Sequence, residues 1–257
     1  MEQHQASIRQ WANFIAILTA FATNVLANIA PINGLTIGEI SNQLFPNVLI
    51  TPASYAFAIW GLIYLGLISL GIYQVLPSHS NDPYLQKMGY FLVIASGAQI
   101  LWVFLFLSRY FFLSVIAMLG ILISLIILYL RLGISLNRVT KPQKWLINFP
   151  ISLYFGWISV ATIVNVALAL TWRNWNGTGL SDVAWTIIMI IIAAILASII
   201  RIRRLDSVYC GVFVWALVAI SIGQSESLPI VSTASIFAGI LILVMVVCEL
   251  RRIKPLL

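Results

Sequence analysis

Charge is scarce in this 257-residue sequence. Lys, Arg, Asp and Glu make up 8% of it against 61% hydrophobic residues, and mean hydropathy is +1.03. No polar stretch is long enough to hold a water-soluble domain, so the chain reads as an all-α integral membrane protein. Histidine and cysteine are nearly absent: two of each, His4, His79, Cys210 and Cys248. No Ser-His-Asp, Cys-His or metal-ligating set can be assembled from them, and there is no Gly-rich phosphate-binding loop. The cysteines read as small packing residues. Acidic residues number seven, and none sits at the middle of an apolar run. Glu249 and Asp206 fall at run ends, Glu39 and Asp82 in loops, and Asp182 and Glu226 beside the sixth and seventh runs. Intramembrane carboxylates usually mark proton or sodium coupling. Their absence weighs against an ion-driven transporter and against acid–base catalysis, so neither an enzyme, a metal site nor a cofactor is expected.

What is present is a series of apolar runs. Eight separate at polar or helix-breaking punctuation: Trp11–Ala30, Ala53–Leu76, Leu85–Leu107, Tyr110–Leu130, Leu146–Thr171, Val183–Ile202, Val208–Gln224 and Pro229–Glu249. Each approaches the roughly 20 residues that span a bilayer. The first reads as a retained helix rather than a cleaved signal peptide. Only Ser108-Arg109 joins the third to the fourth, so these two form a tight hairpin. With eight crossings, one side of the membrane collects Arg9, Lys87, Arg131, Arg138, Lys141, Lys144, Arg201, Arg203, Arg204, Arg251, Arg252 and Lys254. The other side keeps Arg109 and Arg173. That asymmetry places both termini in the cytoplasm, of a protein in the plasma (inner) membrane. The net charge of +7 is then a topology signal, with the lipid bilayer rather than nucleic acid as partner.

Two features go beyond spanning. The loop Pro31–Pro52 has no Lys or Arg but carries Ile40, Leu44, Phe45, Val48, Leu49 and Ile50. It reads either as a lid over the bundle mouth or as a segment lying on the membrane surface. The stretch Thr51–Tyr64 (TPASYAFAIWGLIY) sets Phe57, Trp60 and Tyr64 on one helical face, with Tyr55 as a candidate interfacial anchor. Leu and Ile already satisfy lipid, so an ordered aromatic face points to other helices or to a flat ligand. Gln99 and Trp102 lie one turn apart in the third run. In the fifth, Ser152, Ser159, Thr162 and Asn165 interleave with Tyr154 and Trp157. Such groups serve as glue between helices more often than as ligand contacts.

These residues carry a family pattern. Pro52, Phe57, Trp60 and Ile63-Tyr64 resemble the helix-two motif of the tryptophan-rich sensory protein / translocator protein (TspO, peripheral benzodiazepine receptor) family. Thr51 stands in place of one proline and Ala58 in place of another. Gln99–Trp102 with Phe104–Phe106 is similar to its helix-three motif, and Pro150, Tyr154, Trp157, Val160-Ala161 and Asn165 to its helix-five motif. The resemblance covers about residues 10–173. It implies a five-helix TspO-like bundle (residues 1–173) followed by a three-helix transmembrane extension (174–257), as in a longer branch of the family.

The resemblance also implies a pocket for porphyrins and other flat hydrophobic molecules. Trp60, Tyr64, Trp102, Trp157, Ala161 and Asn165 would contribute to it, with the motif residues Phe57 and Tyr154 beside them and Pro31–Pro52 as its lid. The family's sterol-recognition pattern is missing after helix five, where Trp172-Arg173 replaces Tyr-basic. Leu125…Tyr129…Arg131 fits that pattern only loosely. The expected function is a membrane sensor or carrier for tetrapyrroles or similar planar compounds, with a homodimer left open because short family members tend to dimerise. The alternative is a small secondary transporter of a polar metabolite. An enzyme acting on an isoprenoid or porphyrin ranks last.

Overall fold

The computed structural model describes residues 2–79 and 81–253. Lys254, counted above among the cations, lies outside them, as do the side chains of His4 and Arg252. Eight helices of 17 residues or more dominate the described chain: α1 Glu2–Ile29, α2 Ile59–Val75, α3 Phe91–Leu107, α4 Phe111–Leu132, α5 Phe149–Trp172, α6 Asp182–Arg204, α7 Ser207–Gly223 and α8 Leu228–Ile253. Each apolar run coincides with one of them. Six helical stretches are long and apolar enough to cross a membrane, while α3 and α7, with 17 residues each, are shorter. At 1.5 Å per residue those two rise about 26 Å, just under the roughly 30 Å hydrocarbon thickness. The chain is a multi-pass, all-helical membrane protein.

Helix ends follow local chemistry. Asp206 caps α7 by accepting the amides of Val208 and Tyr209, and Ser181 caps α6 through the Ala184 amide. Gly133 ends α4 in the left-handed conformation, where a glycine costs least. Three run boundaries differ from expectation. The first helix begins at Glu2, nine residues before Trp11, because its polar opening turns still complete their backbone bonds. The third run divides into a single turn, Pro83–Gln86, and α3, separated at Gly89 with φ +54°. The second opens as a 3-10 segment, Ser54–Ala58, before α2 proper.

Helix α1 packs between α2 and α3, α3 against α4, and α4 against α5. Helix α5 is the axis of the molecule, for it also meets α2 and α7. Through α7, with α6 and α8 closing a second group, the C-terminal helices attach to the bundle. A Cβ added at Gly156 of α5 would stand 3.0 Å from the Val212 side chain, so glycine allows this close approach of α5 and α7. Buried polar residues tie the same seam. The Asp206 carboxylate, 2% exposed, accepts hydroxyls from Tyr129 of α4 (2.8 Å) and Ser152 of α5 (2.6 Å). Although Asp206 reads as a run-end residue, it therefore joins three helices. Tyr129, the centre of the loose sterol-like pattern, is only 1% exposed and faces this seam rather than lipid. Arg201, expected among loop cations, is fully buried in α6, where it donates to the Met245 carbonyl (2.9 Å) and pairs with Glu249 (3.2 Å).

Candidate functional site

Residues 31–58 fold over one end of the bundle. A turn of helix, Ile37–Glu39, continues as a π turn, Ile40–Leu44. Its start is a capping box: the Thr36 hydroxyl accepts the Glu39 amide and the Glu39 carboxylate accepts the Thr36 amide. The Thr36 amide and the Thr36 hydroxyl, each donating to Glu39 Oε2 at 2.8 Å, hold the Glu39 carboxyl below its usual pKa. Ile40, Phe45, Val48 and Ile50 are all buried. Phe45 meets Phe111 and Trp172 edge-on at 5.0 and 6.2 Å, and the Asn33 amide donates to the Leu107 carbonyl. Of the two courses open to this loop, folding over the bundle is the one observed.

Beneath it lies a narrow apolar cavity of about 30 Å³. Phe57 and Trp60 line it from the start of α2, and Trp102 and Phe106 from α3. Helix α5 supplies Trp157, Val160, Ala161, Val164, Asn165 and Leu168, while Ile37, Ser41 and Pro52 close the lid side. Ring geometry sets the walls. Phe57 stands edge-on to Trp157 (5.9 Å), and Trp102 stacks on Phe106 (5.1 Å). Such pairs contribute about 0.5–1.5 kcal/mol each beyond their burial.

Six of the eight expected residues, Phe57, Trp60, Trp102, Trp157, Ala161 and Asn165, meet at this cavity. Tyr64 and Tyr154 stand one layer behind, where both contact the Trp60 ring. The Tyr64 hydroxyl donates to the Ala20 carbonyl of α1 (3.1 Å) and that of Tyr154 to Gln99 Oε1 (2.9 Å). A helix of this width touches several neighbours, so sharing a face with Trp60 does not give Tyr64 a place in the wall. Asn165 is the polar node. Its Oδ1 accepts Trp102 Nε1 at 2.8 Å and its Nδ2 donates to Ser114 Oγ at 2.9 Å, joining α3, α4 and α5. In contrast Trp157 Nε1 is buried with no partner, a donor left over beside open space. Neither Lys, Arg, Asp nor Glu lines the cavity.

Sequence reasoning missed Ile37, Ser41, Phe106, Val160, Val164, Leu168 and Ser114. The lid residues were within reach, since Thr36-x-x-Glu39 is a capping-box spacing that announces a helical turn in the loop. Val160, Val164 and Leu168 follow Trp157 and Asn165 at three- and four-residue steps and share their face.

A family model described as TSPO-like protein matches residues 10–248. The chain belongs to that family. Because the match runs into α8, it takes in the C-terminal helices as well as the five-helix bundle. Neither a curated protein nor a solved structure matches the chain.

Proposed function

We propose that this TSPO-like protein binds planar hydrophobic molecules, tetrapyrroles among them, in the cavity between α2, α3 and α5, and acts as a membrane sensor or carrier. One observation supports this most: a ring-walled, uncharged cavity holds a buried indole N–H, Trp157 Nε1, that no protein group satisfies. Small-molecule sites are mostly apolar with a few directed polar groups. A buried donor without an acceptor costs about 1–3 kcal/mol, a cost that a ligand acceptor removes. At about 30 Å³ the cavity as it stands is far smaller than the usual ligand pocket. A macrocycle therefore needs the lid to lift, and Thr36–Phe45 is the segment that moves. The charge asymmetry orients the protein with both termini cytoplasmic and the lid on the opposite face, giving eight crossings with α3 and α7 tilted least.

Quenching of tryptophan emission tests the reading. Protoporphyrin titrated into the protein in lipid nanodiscs should quench saturably, and Ala161→Phe, which fills the cavity, should remove the saturable component. Quenching that is linear in ligand, or indifferent to Ala161→Phe, overturns it.

A further inference from the structure

Ser41 belongs to two spaces at once. It lines the apolar cavity, and it also lines an open-mouthed polar chamber of about 300 Å³ on the other side of the lid segment. The partition is one residue thick, with Pro52 facing the cavity and its neighbour Thr51 the chamber. The far wall is the α7–α8 turn: Gly223, Gln224, Ser225 and Glu226. That turn is held close. The Ala53 amide donates to the Ala219 carbonyl at 3.0 Å, and a Cβ added at Gly223 would stand 3.0 Å from the Ala53 nitrogen. The C-terminal extension thus completes a space that the bundle alone would leave open.

The chamber's chemistry is one-sided. Among the described residues Glu226 is its only charged lining residue, with no Lys or Arg to balance it. Asn42 donates one amide hydrogen to the Gly38 carbonyl and carries Oδ1 as an acceptor, and the Ser41 hydroxyl donates to the Ile37 carbonyl. Thr51 is 3% exposed, and its hydroxyl has no partner. Carbonyl, hydroxyl and carboxylate oxygens without a cation form a surface that accepts hydrogen bonds and repels anions.

We propose that the site is bipartite. On the reading that the cavity takes the flat apolar body of a ligand, the chamber takes its head group and selects an ammonium-type cation over a carboxylate. The ligand class is then an aromatic or polycyclic amphiphile with a short cationic arm that reaches past Ser41 to Thr51 and Glu226. Acidic planar compounds enter the same cavity at a disadvantage.

Three probes of one ring system test this on the full chain in phosphatidylcholine nanodiscs, read by energy transfer from tryptophan: pyrene, pyrene with a butylammonium arm, and pyrene with a butyrate arm. The ammonium probe should bind about fivefold more tightly than the carboxylate probe, the scale of one solvent-reached charge pair. Glu226→Gln should bring the two within about twofold. Thr51→Val should weaken the ammonium probe, while Asp182→Asn at the start of α6 should leave the ratio in place. Equal binding of the two arms, or a ratio that Glu226→Gln does not move, overturns the chamber alone, provided all probes bind saturably and are displaced by Ala161→Phe. If none binds saturably, or Ala161→Phe changes nothing, the cavity reading fails and the chamber falls with it.

Discussion

Helix α5 presents two polar nodes to its neighbours, and they are built to opposite specifications. Toward α4 and α7, the Asp206 carboxylate takes four donors: the Tyr129 and Ser152 hydroxyls on one oxygen and the Val208 and Tyr209 amides on the other. That seam is buried and tight, with Gly156 letting the helices touch. Toward α2 and α3, Asn165 is satisfied by Trp102 and Ser114, yet one turn or two away Trp157 Nε1 has nothing to bond and open space beside it. A polar group that is fully satisfied and closely packed holds helices together. On the proposed function, one left over at a cavity is positioned for a ligand. The contrast separates glue from site within a single helix, which residue type alone does not do.

The largest effect should come from breaking the Asp206 node. Asp206→Ala leaves two hydroxyls and two amides without an acceptor and should lower stability by about 3 kcal/mol, read as a fall in melting temperature in detergent. A loss under about 1 kcal/mol would mean the seam is held by apolar packing instead. On the other face, Ala161→Phe should cost at least about tenfold in affinity for a planar ligand, or about 1.4 kcal/mol, with the melting temperature nearly unchanged. If melting falls as far as in Asp206→Ala, the cavity is structural slack, and the two faces do not differ as argued.

The tryptophans sharpen the comparison further. Trp102→Phe removes the donor to Asn165 Oδ1, so it should cost stability by about 1 kcal/mol. Trp157→Phe removes a donor that bonds nothing, so stability should hold or rise while affinity for a ligand bearing an acceptor falls about fivefold. The opposite pattern, with Trp157→Phe unstable and Trp102→Phe weak in binding, would exchange their roles.

Much of this was open to a reader of the sequence, because a bilayer enforces length and apolarity. All eight runs became helices, and the Ser108-Arg109 link became a tight turn with Arg109 at φ +64°. The spacing in TPASYAFAIWGLIY rightly put Trp60 and Tyr64 on an inward face, at 8% and 3% exposure. Spacing along one helix cannot say which neighbour a ring meets, so Tyr64 went to α1 and not to the cavity. Nor can it reveal partners such as Tyr129 and Ser152, 77 and 54 residues from Asp206 in sequence. The chamber beside Glu226 was hidden for the same reason, since Thr51 and Gln224 become neighbours only once α7 docks on α5. Tyr55, the candidate interfacial anchor, is 41% exposed and packs edge-on against Trp215 of α7 at 5.3 Å.

The smallest effect should appear at the lid, whose capping box links it to pH. Glu39 has a lowered pKa in the folded state, with the Thr36 amide and hydroxyl as its cause. Its contribution is therefore complete above the ordinary carboxylate range and is lost as pH falls through the lowered folded value. Hydrogen exchange at residues 37–44, corrected for intrinsic rate, should be flat around neutrality and accelerate only below that range. Thr36→Ala should bring the acceleration to neutral pH, by about fivefold as for other lost caps. Exchange at α5 residues near Asp206 should not follow, because that seam shares no group with the cap. If both regions loosen together, the lid is coupled to the Asp206 seam, and one cooperative unit replaces the two independent faces of α5.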